Sequence, residues 1–577
     1  MNVDQKTYIT CIISFMTLFA FAQDQRKQTN DTLDADVVNV VKPYTPKISD
    51  AFKVKAIPTT DDATTTSKKE IRYNIFSIPV ASIFTPAKGK AAAVEKTKKE
   101  RLFTNYASLG FGNYTTLLGE VYLNHAMNRS ENVGGYISHH SSQGGIDGVK
   151  LDDDFMDTKV NINYAKQMRD YTWNVDAGYK FQSYNWYGIP NAENLITETQ
   201  IDALSPQHKF HTFDFGGEIE LEDRMINSGS VRFRRFADDL DSGENRFVAK
   251  ANFDVAFREE LINTTVKMDY LGGRFGQSYL EDTSFKYGNF QIGIAPIYPI
   301  VRDEYLKVDV GFATYYMNDT AAKAHKFYIY PKVTASYRLV DDMVISYGGI
   351  EGDLEQNSYQ GFASENPFVS PTLVVQPTSQ QYNAYLGLKG KLSNTMNYNL
   401  NGSYYGSNNQ ALYLSNAFSP QDDNNYSYNN SFSVVYDNVK TLKLFGELNV
   451  DIKRNLNLGL KVSYYNYTAD KQEEAWNLPD FEASLFLDYQ ITAQWFAGAN
   501  LFYVGERLDN QVAESTTNVV SLESYFDANA HVGYRINERW TAYVKANNIA
   551  NQVYNRWLNY PVQGIQVLGG ASYKFDF

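Results

Sequence analysis

The stretch from Gly564 to Phe577 constrains the fold more than any other in the chain. Ile565, Val567, Gly569, Ala571, Tyr573, Phe575 and Phe577 fall on one parity, and Gln566, Leu568, Gly570, Ser572, Lys574 and Asp576 on the other. A period of two is that of a β-strand, whose successive side chains point to opposite faces. One face here is apolar and ends in three aromatics, and the other is mostly polar. A terminal strand of this kind closes a membrane-spanning barrel, its aromatic end lying in the interfacial girdle. Tyr573, Phe575 and Phe577 are therefore the expected C-terminal assembly signal. Taken alone, the stretch also fits the edge of a soluble sandwich.

The rest of the chain favours the barrel. Phe247, Ala249, Ala251, Phe253, Val255 and Phe257 alternate with Val248, Lys250, Asn252, Asp254, Ala256 and Arg258. The same period runs through Leu442–Ile452 and Phe526–Ile536. Turning Lys250 or Arg258 into mid-membrane lipid would cost roughly 2–4 kcal/mol each, and a one-residue slip would expose several such charges together. The pattern thus assigns one face to lipid and the other to a polar lumen. Short polar turns (167–170, 259–261, 340–342, 392–395, 453–455, 491–494 and 536–539) are interspersed with long connections near 185–206, 273–283, 351–378, 407–432, 469–479, 505–522 and 550–563. One strand between each pair of connections predicts an all-β, antiparallel transmembrane barrel of about 22 strands over residues 102–577. A lumen that wide needs an occupant to stay closed.

Composition agrees. Aromatics make up 15% of the 577 residues, yet mean hydropathy is −0.43 and 21% of residues are charged. A barrel produces this profile because its lumen face dilutes its apolar residues. The one cysteine, Cys11, lies in the opening segment, where Lys6, an apolar run from Tyr8 to Phe19 and Ala20-Phe21-Ala22 before Gln23 make residues 1–22 a secretory signal cleaved after Ala22. The run is too short for a transmembrane helix, and Cys11 is too early to carry a lipid anchor.

Residues 23–101 have a different character. Pro43, Pro46, Pro58, Pro79 and Pro86 break them up, and 15 basic against 10 acidic residues give them a net charge of +5. Residues 1–22 are neutral, so the barrel region carries −18 of the chain's −13. Proline withholds a backbone donor and opposes regular sheet or long helix. Two readings fit this segment. It is either a free periplasmic tail or a basic strip drawn into an acidic lumen. On the second reading Lys42, Tyr44, Lys47, Lys53 and Lys55 would dock in the lumen.

Nothing in the sequence assembles into reaction chemistry. His208 and His211 are three apart, on opposite faces of a strand, as are His139 and His140, so neither pair suits a metal. Asp152–Asp154 and Asp422–Asp423 lack the ligand spacing of a calcium loop. Trp186-Tyr187 and Tyr426-Ser427-Tyr428 fit loop or girdle packing better than sugar stacking. There is no nucleophile–histidine arrangement and no phosphate-binding glycine loop. The acidic balance argues against a nucleic-acid partner. We expect neither enzymatic activity nor a cofactor.

The end of the chain resembles that of TonB-dependent outer-membrane receptors. The resemblance rests on Asn547-Asn548-Ile549 through Tyr554, on Asn559-Tyr560-Pro561 and on Gly569 to Phe577. It departs from the family where Asn548-Ile549-Ala550 stands for an Asn-Leu-Phe-like tripeptide and Val562-Gln563-Gly564 for Pro-Gly-Arg. It departs further in that residues 23–101 are far shorter than the family's plug domain. Asp34 to Val41 faintly resembles the family's energy-coupling stretch, with Val37, Val38, Val40 and Val41 as its apolar positions. That stretch would add a strand to a TonB-type partner. The resemblance implies a Gram-negative outer-membrane location with extracellular loops, the N-terminal segment being periplasmic or in the lumen. It also implies solute uptake gated by the N-terminal segment or a partner. Expected partners are outer-membrane lipids, the barrel-assembly machinery and a surface lipoprotein or TonB-type protein. The alternatives are a non-transporting structural barrel of an outer-membrane complex and, third, a passive porin.

Overall fold

A computed structural model describes residues 102–577, apart from 191–195, 223–224, 258–259, 281–282, 420–423, 454 and 514–515. The cleavage site at Ala20, Ala22 and Gln23, the stretch Val37, Val38, Val40 and Val41, and the docking residues Lys42, Tyr44, Lys47, Lys53 and Lys55 all lie outside the described residues. So does the whole of 23–101.

Twenty-two strands form one antiparallel sheet that closes on itself. Strand Asn105–Gly112 pairs on one side with Leu117–Ala126 and on the other with Gln566–Phe575, the last strand. The closing register sets Asn105 against Phe575 and Gly112 against Leu568. The predicted parity holds along it. Val567 and Phe577 are exposed on the outer face, while Leu568 and Ser572 are buried on the inner one. Gly110 and Gly570 face each other across this seam, where Tyr543 from the neighbouring strand lies over them and donates or accepts a 3.0 Å hydrogen bond with Ser108. A Cβ on Gly570 would sit 2.5 Å from both the Tyr543 ring and the Leu109 carbonyl. This seam admits no side chain at that point.

The outer face is largely apolar, with Phe257, Leu444, Ile452 and Val532 among its exposed residues. The inner face carries cross-strand ion pairs, including Lys180–Asp157, Arg232–Asp176, Arg234–Asp214 and Arg246–Asp269 at 2.8–3.0 Å. Aromatic pairs gather where turns are short: Trp495 lies 4.7 Å from Tyr534, and Trp540 lies 4.7 Å from Tyr573. Ring bodies with polar tips suit an interfacial belt.

The structure alters three expectations. The strand from Met396 continues to Ser415, so the connection expected from 407 begins later. A bulge between Ser407 and Gln410 allows this, with Asn409 at φ 69°, a left-handed conformation that asparagine tolerates. The connection after Val504 folds into a hairpin of its own, Arg507–Ala513 with Thr516–Leu522, outside the barrel sheet. And the inner face is not polar along its whole length. At the long-loop end it turns aromatic and meets the loops in a packed core.

Candidate functional site

That core is a cap over one end of the barrel. From the wall come Phe210, Phe236, Phe275, Tyr287, Tyr413 and Phe432, each within a few residues of the long-loop end of its strand. From the loops come Tyr359, Phe362, Val369, Leu373, Trp557 and Tyr560. Tyr560 stacks on Phe368 at 3.7 Å, meets Tyr187 edge-on at 4.8 Å and donates its hydroxyl proton to the Asn430 carbonyl. Three connections distant in sequence therefore converge on one ring. Trp186 likewise stacks on His208 at 4.3 Å and meets Tyr426 edge-on at 5.3 Å, with both aromatic rings buried. The loop-packing reading of these aromatics is the one realised, and their occluded faces offer nothing to a sugar.

Polar contacts stitch the cap to the wall. The short helix Tyr359–Glu365 begins at Ser358, whose hydroxyl accepts from the Gly361 N–H at 3.0 Å. The two preceding N–H groups, of Tyr359 and Gln360, donate to the buried Glu244 carboxylate at 2.8 and 3.1 Å. Glu244 belongs to the wall strand Gly243–Phe257 and also accepts from the Tyr287 hydroxyl at 2.8 Å. A helix start leaves such N–H groups without intrahelical partners, and a wall carboxylate supplies what a local cap cannot. Tyr359 reaches Asp238 through its hydroxyl at 2.9 Å. Across the mouth, Asp509 of the hairpin accepts from the Ser415 N–H at 3.0 Å and from the Asn477 amide at 2.9 Å. Residues 369–370 also pair with the backbone of Phe432.

Where the cap meets the wall it leaves a cavity of about 310 Å³. Its lining includes three guanidiniums (Arg246, Arg507 and Arg556), three carboxyls (Glu355, Glu365 and Glu482), and the rings of Tyr413, Tyr525 and Trp557. Arg246 is held by both Asp269 oxygens, at 3.0 and 2.8 Å. Arg507 donates to the backbone carbonyls of Arg556 and Asn555, and burial lowers its pKa below the usual arginine value. The Glu365 carboxyl accepts from the Tyr413 hydroxyl at 2.9 Å. Burial pushes its pKa up to about 7, a rise that the Tyr413 bond and nearby Arg556 only partly offset. Burial likewise raises Asp509 to about 6 against the opposing bonds from Asn477 and Ser415.

Glu244, Glu365, Arg507 and Arg556 carry no local sequence signal, because their partners lie far along the chain. Glu244 meets a helix 115 residues away. Among the described residues no group of three His, Cys, Asp or Glu side chains could hold a metal ion. Asp153 instead accepts from the N–H groups of Gly145 and Ile146, a loop-shaping role.

No protein-family model matches the sequence, and no curated protein matches it. Solved structures do. The pyoverdine receptor FpvA of Pseudomonas aeruginosa, bound to heterologous pyoverdines, superposes with a TM-score of 0.61 at 12% identity, over 82% of this chain and 72% of the receptor. The siderophore receptor PirA of Acinetobacter baumannii gives 0.61 at 13% identity, over 83% and 81%. The ferric-catecholate import receptor Fiu of Escherichia coli K12, in its closed form, gives 0.59 at 12% identity, over 83% of each chain. Identities this low establish a shared fold, and it is the fold to which the C-terminal resemblance pointed. In architecture, this chain is a closed 22-strand antiparallel β-barrel with the fold of these receptors.

Proposed function

We propose that the chain is an outer-membrane uptake barrel whose long loops face the cell exterior and whose loop cap closes the outer mouth. The observation that carries this reading is the cap, an aromatic core tied to the wall over a polar cavity. A passive porin keeps a water-filled path, whereas a capped barrel must be opened. Strand Asn105–Gly112 begins at the short-turn end. Residues 1–22 act as a cleaved signal. Residues 23–101, with their charge of +5, gate the lumen from that end or hand the task to a partner. Many inner-face carboxylates already pair with wall cations. Docking of Lys42, Lys47, Lys53 and Lys55 would therefore fall to acids such as Glu218 and Glu220, exposed on the inner face near the short-turn end. The coupling role of Val37, Val38, Val40 and Val41 and the assembly role of Tyr573, Phe575 and Phe577 belong to the same proposal. Tyr573 and Phe575 stack 5.8 Å apart on the closing strand.

The test combines partners with permeability. Protein extracted from outer membranes is analysed for co-purifying chains, and the purified barrel is recorded in planar bilayers with and without residues 23–101. A surface lipoprotein or TonB-type protein, with low conductance that rises on removal of the segment, supports gated uptake. A stable assembly with no transport component would replace it with the structural role. A large open conductance of the intact chain would replace it with the porin.

A further inference from the structure

The cavity under the cap has an unusual wall for a barrel lumen. Guanidiniums and carboxyls line it in equal number, together with four aromatic rings. Around it, three side chains that are more than nine-tenths buried each leave one polar atom without a hydrogen-bond partner. These are Arg507 at Nε, Gln410 at Oε1 and Asn477 at Oδ1. One is a donor and two are acceptors. Buried polar atoms are ordinarily satisfied, so three around one cavity mark it as built for more than packing. Arg556 adds a cation with no hydrogen-bond or ion-pair partner for its guanidinium among the described residues. Its field reaches Glu365, Tyr525 and Tyr554.

We propose that this cavity binds a small zwitterion of the amino-acid or short-peptide type. Its carboxylate is received at Arg556 and Arg507, its ammonium and N–H groups are received at Glu355, Gln410 and Asn477, and an apolar side chain lies against Trp557 and Tyr413. The chemistry follows from the wall. A guanidinium matches a carboxylate in planar, two-point geometry, and an ammonium needs acceptors only. A purely anionic ligand would leave the carboxyl side facing a like charge, and a neutral sugar would leave both charged sets unmatched. The volume, about 310 Å³, is at the small end of ligand sites, which excludes a large chelate. The site deepens the uptake reading by naming what the capped barrel holds.

The experiment uses the full mature chain in detergent, titrated calorimetrically with alanyl-phenylalanine, its C-terminal amide and its N-acetyl form. The free dipeptide is expected to bind, with each blocked form at least about tenfold weaker. Arg556→Gln is expected to weaken the free dipeptide about tenfold and to leave the amide unchanged, since the amide has no charge to lose there. Glu355→Gln should do the converse with the N-acetyl form. The far-ultraviolet spectrum and heat-modifiable mobility of each variant verify folding. Absence of binding at about 10 mM, or equal binding of free and blocked forms, overturns the proposal. Binding is read without transport, so its failure leaves gated uptake standing. Failure of uptake with binding retained leaves the cavity standing.

Discussion

Replacing Glu244 with alanine should release the cap while leaving the barrel closed. The carboxylate is 1% exposed and accepts from two N–H groups at the start of the helix and from the Tyr287 hydroxyl, at 2.8–3.1 Å. Hydrogen bonds to a charged group are worth about 1.5–3 kcal/mol each, and a buried donor left without a partner costs about 1–3 kcal/mol. Three such bonds exceed what the cap can lose while closed, because opening lets the donors find water. The helix start keeps its Ser358 contact, which limits the loss further. The expected result is a fall of about 4 kcal/mol in the free energy of local opening, or a thousandfold gain in the open population. Hydrogen–deuterium exchange of peptides over 356–377 reads this directly, with Leu442–Lys453 as the internal control. Exchange should accelerate about a thousandfold in the first and stay unchanged in the second. Glu244→Gln keeps one acceptor oxygen and turns the other into an N–H donor, so it should lie between the two. Unchanged protection of 356–377 in the alanine variant would refute the latch, and faster exchange throughout the barrel would show that Glu244 supports the wall instead.

The cap should also respond to pH. Glu365 and Asp509 are raised by burial to about 7 and about 6. Their contribution is thus complete below their unfolded values near pH 4, and is lost as pH rises through 6 to 7, at most roughly 3 kcal/mol for Glu365. Protection of 356–377 and 470–480, corrected for intrinsic exchange, should be higher at pH 5 than at pH 8, and the reverse order would contradict the assignment. Deleting Phe577 or making it charged should abolish the heat-modifiable form in outer membranes, because the exposed ring that ends the lipid-facing parity is removed; normal levels would rule this out. Gly570→Leu should block closure of the seam, since its Cβ has no room beside Tyr543 and Leu109. Rescue of folding by Tyr543→Ala would measure how much of that clash is the ring.

Much of the barrel was legible in the sequence, because a strand with lipid on one side and water on the other must alternate. Leu442–Ile452 and Gln566–Phe575 could take only one register without exposing charges to lipid. Turn length, read from polar interruptions, supplied the strand count. Even the resemblance at Asn559-Tyr560-Pro561 marked a place that matters, though not what it touches. The cap and its cavity were not legible, for a physical reason. Their contacts join residues that have no local relation, such as Glu244 with Tyr359, Tyr560 with Asn430, and Asn477 with Asp509. An aromatic in a long loop has the same pattern whether it faces solvent, lipid or another loop. Only closure of the sheet, which brings the long connections over one mouth, decides among these. The sequence by itself determined a barrel, its lipid face and its closing strand, since each follows from nearest-neighbour chemistry. The tertiary structure alone decided which carboxylates tie the loops to the wall, and that guanidiniums from a strand, a hairpin and a loop share one cavity.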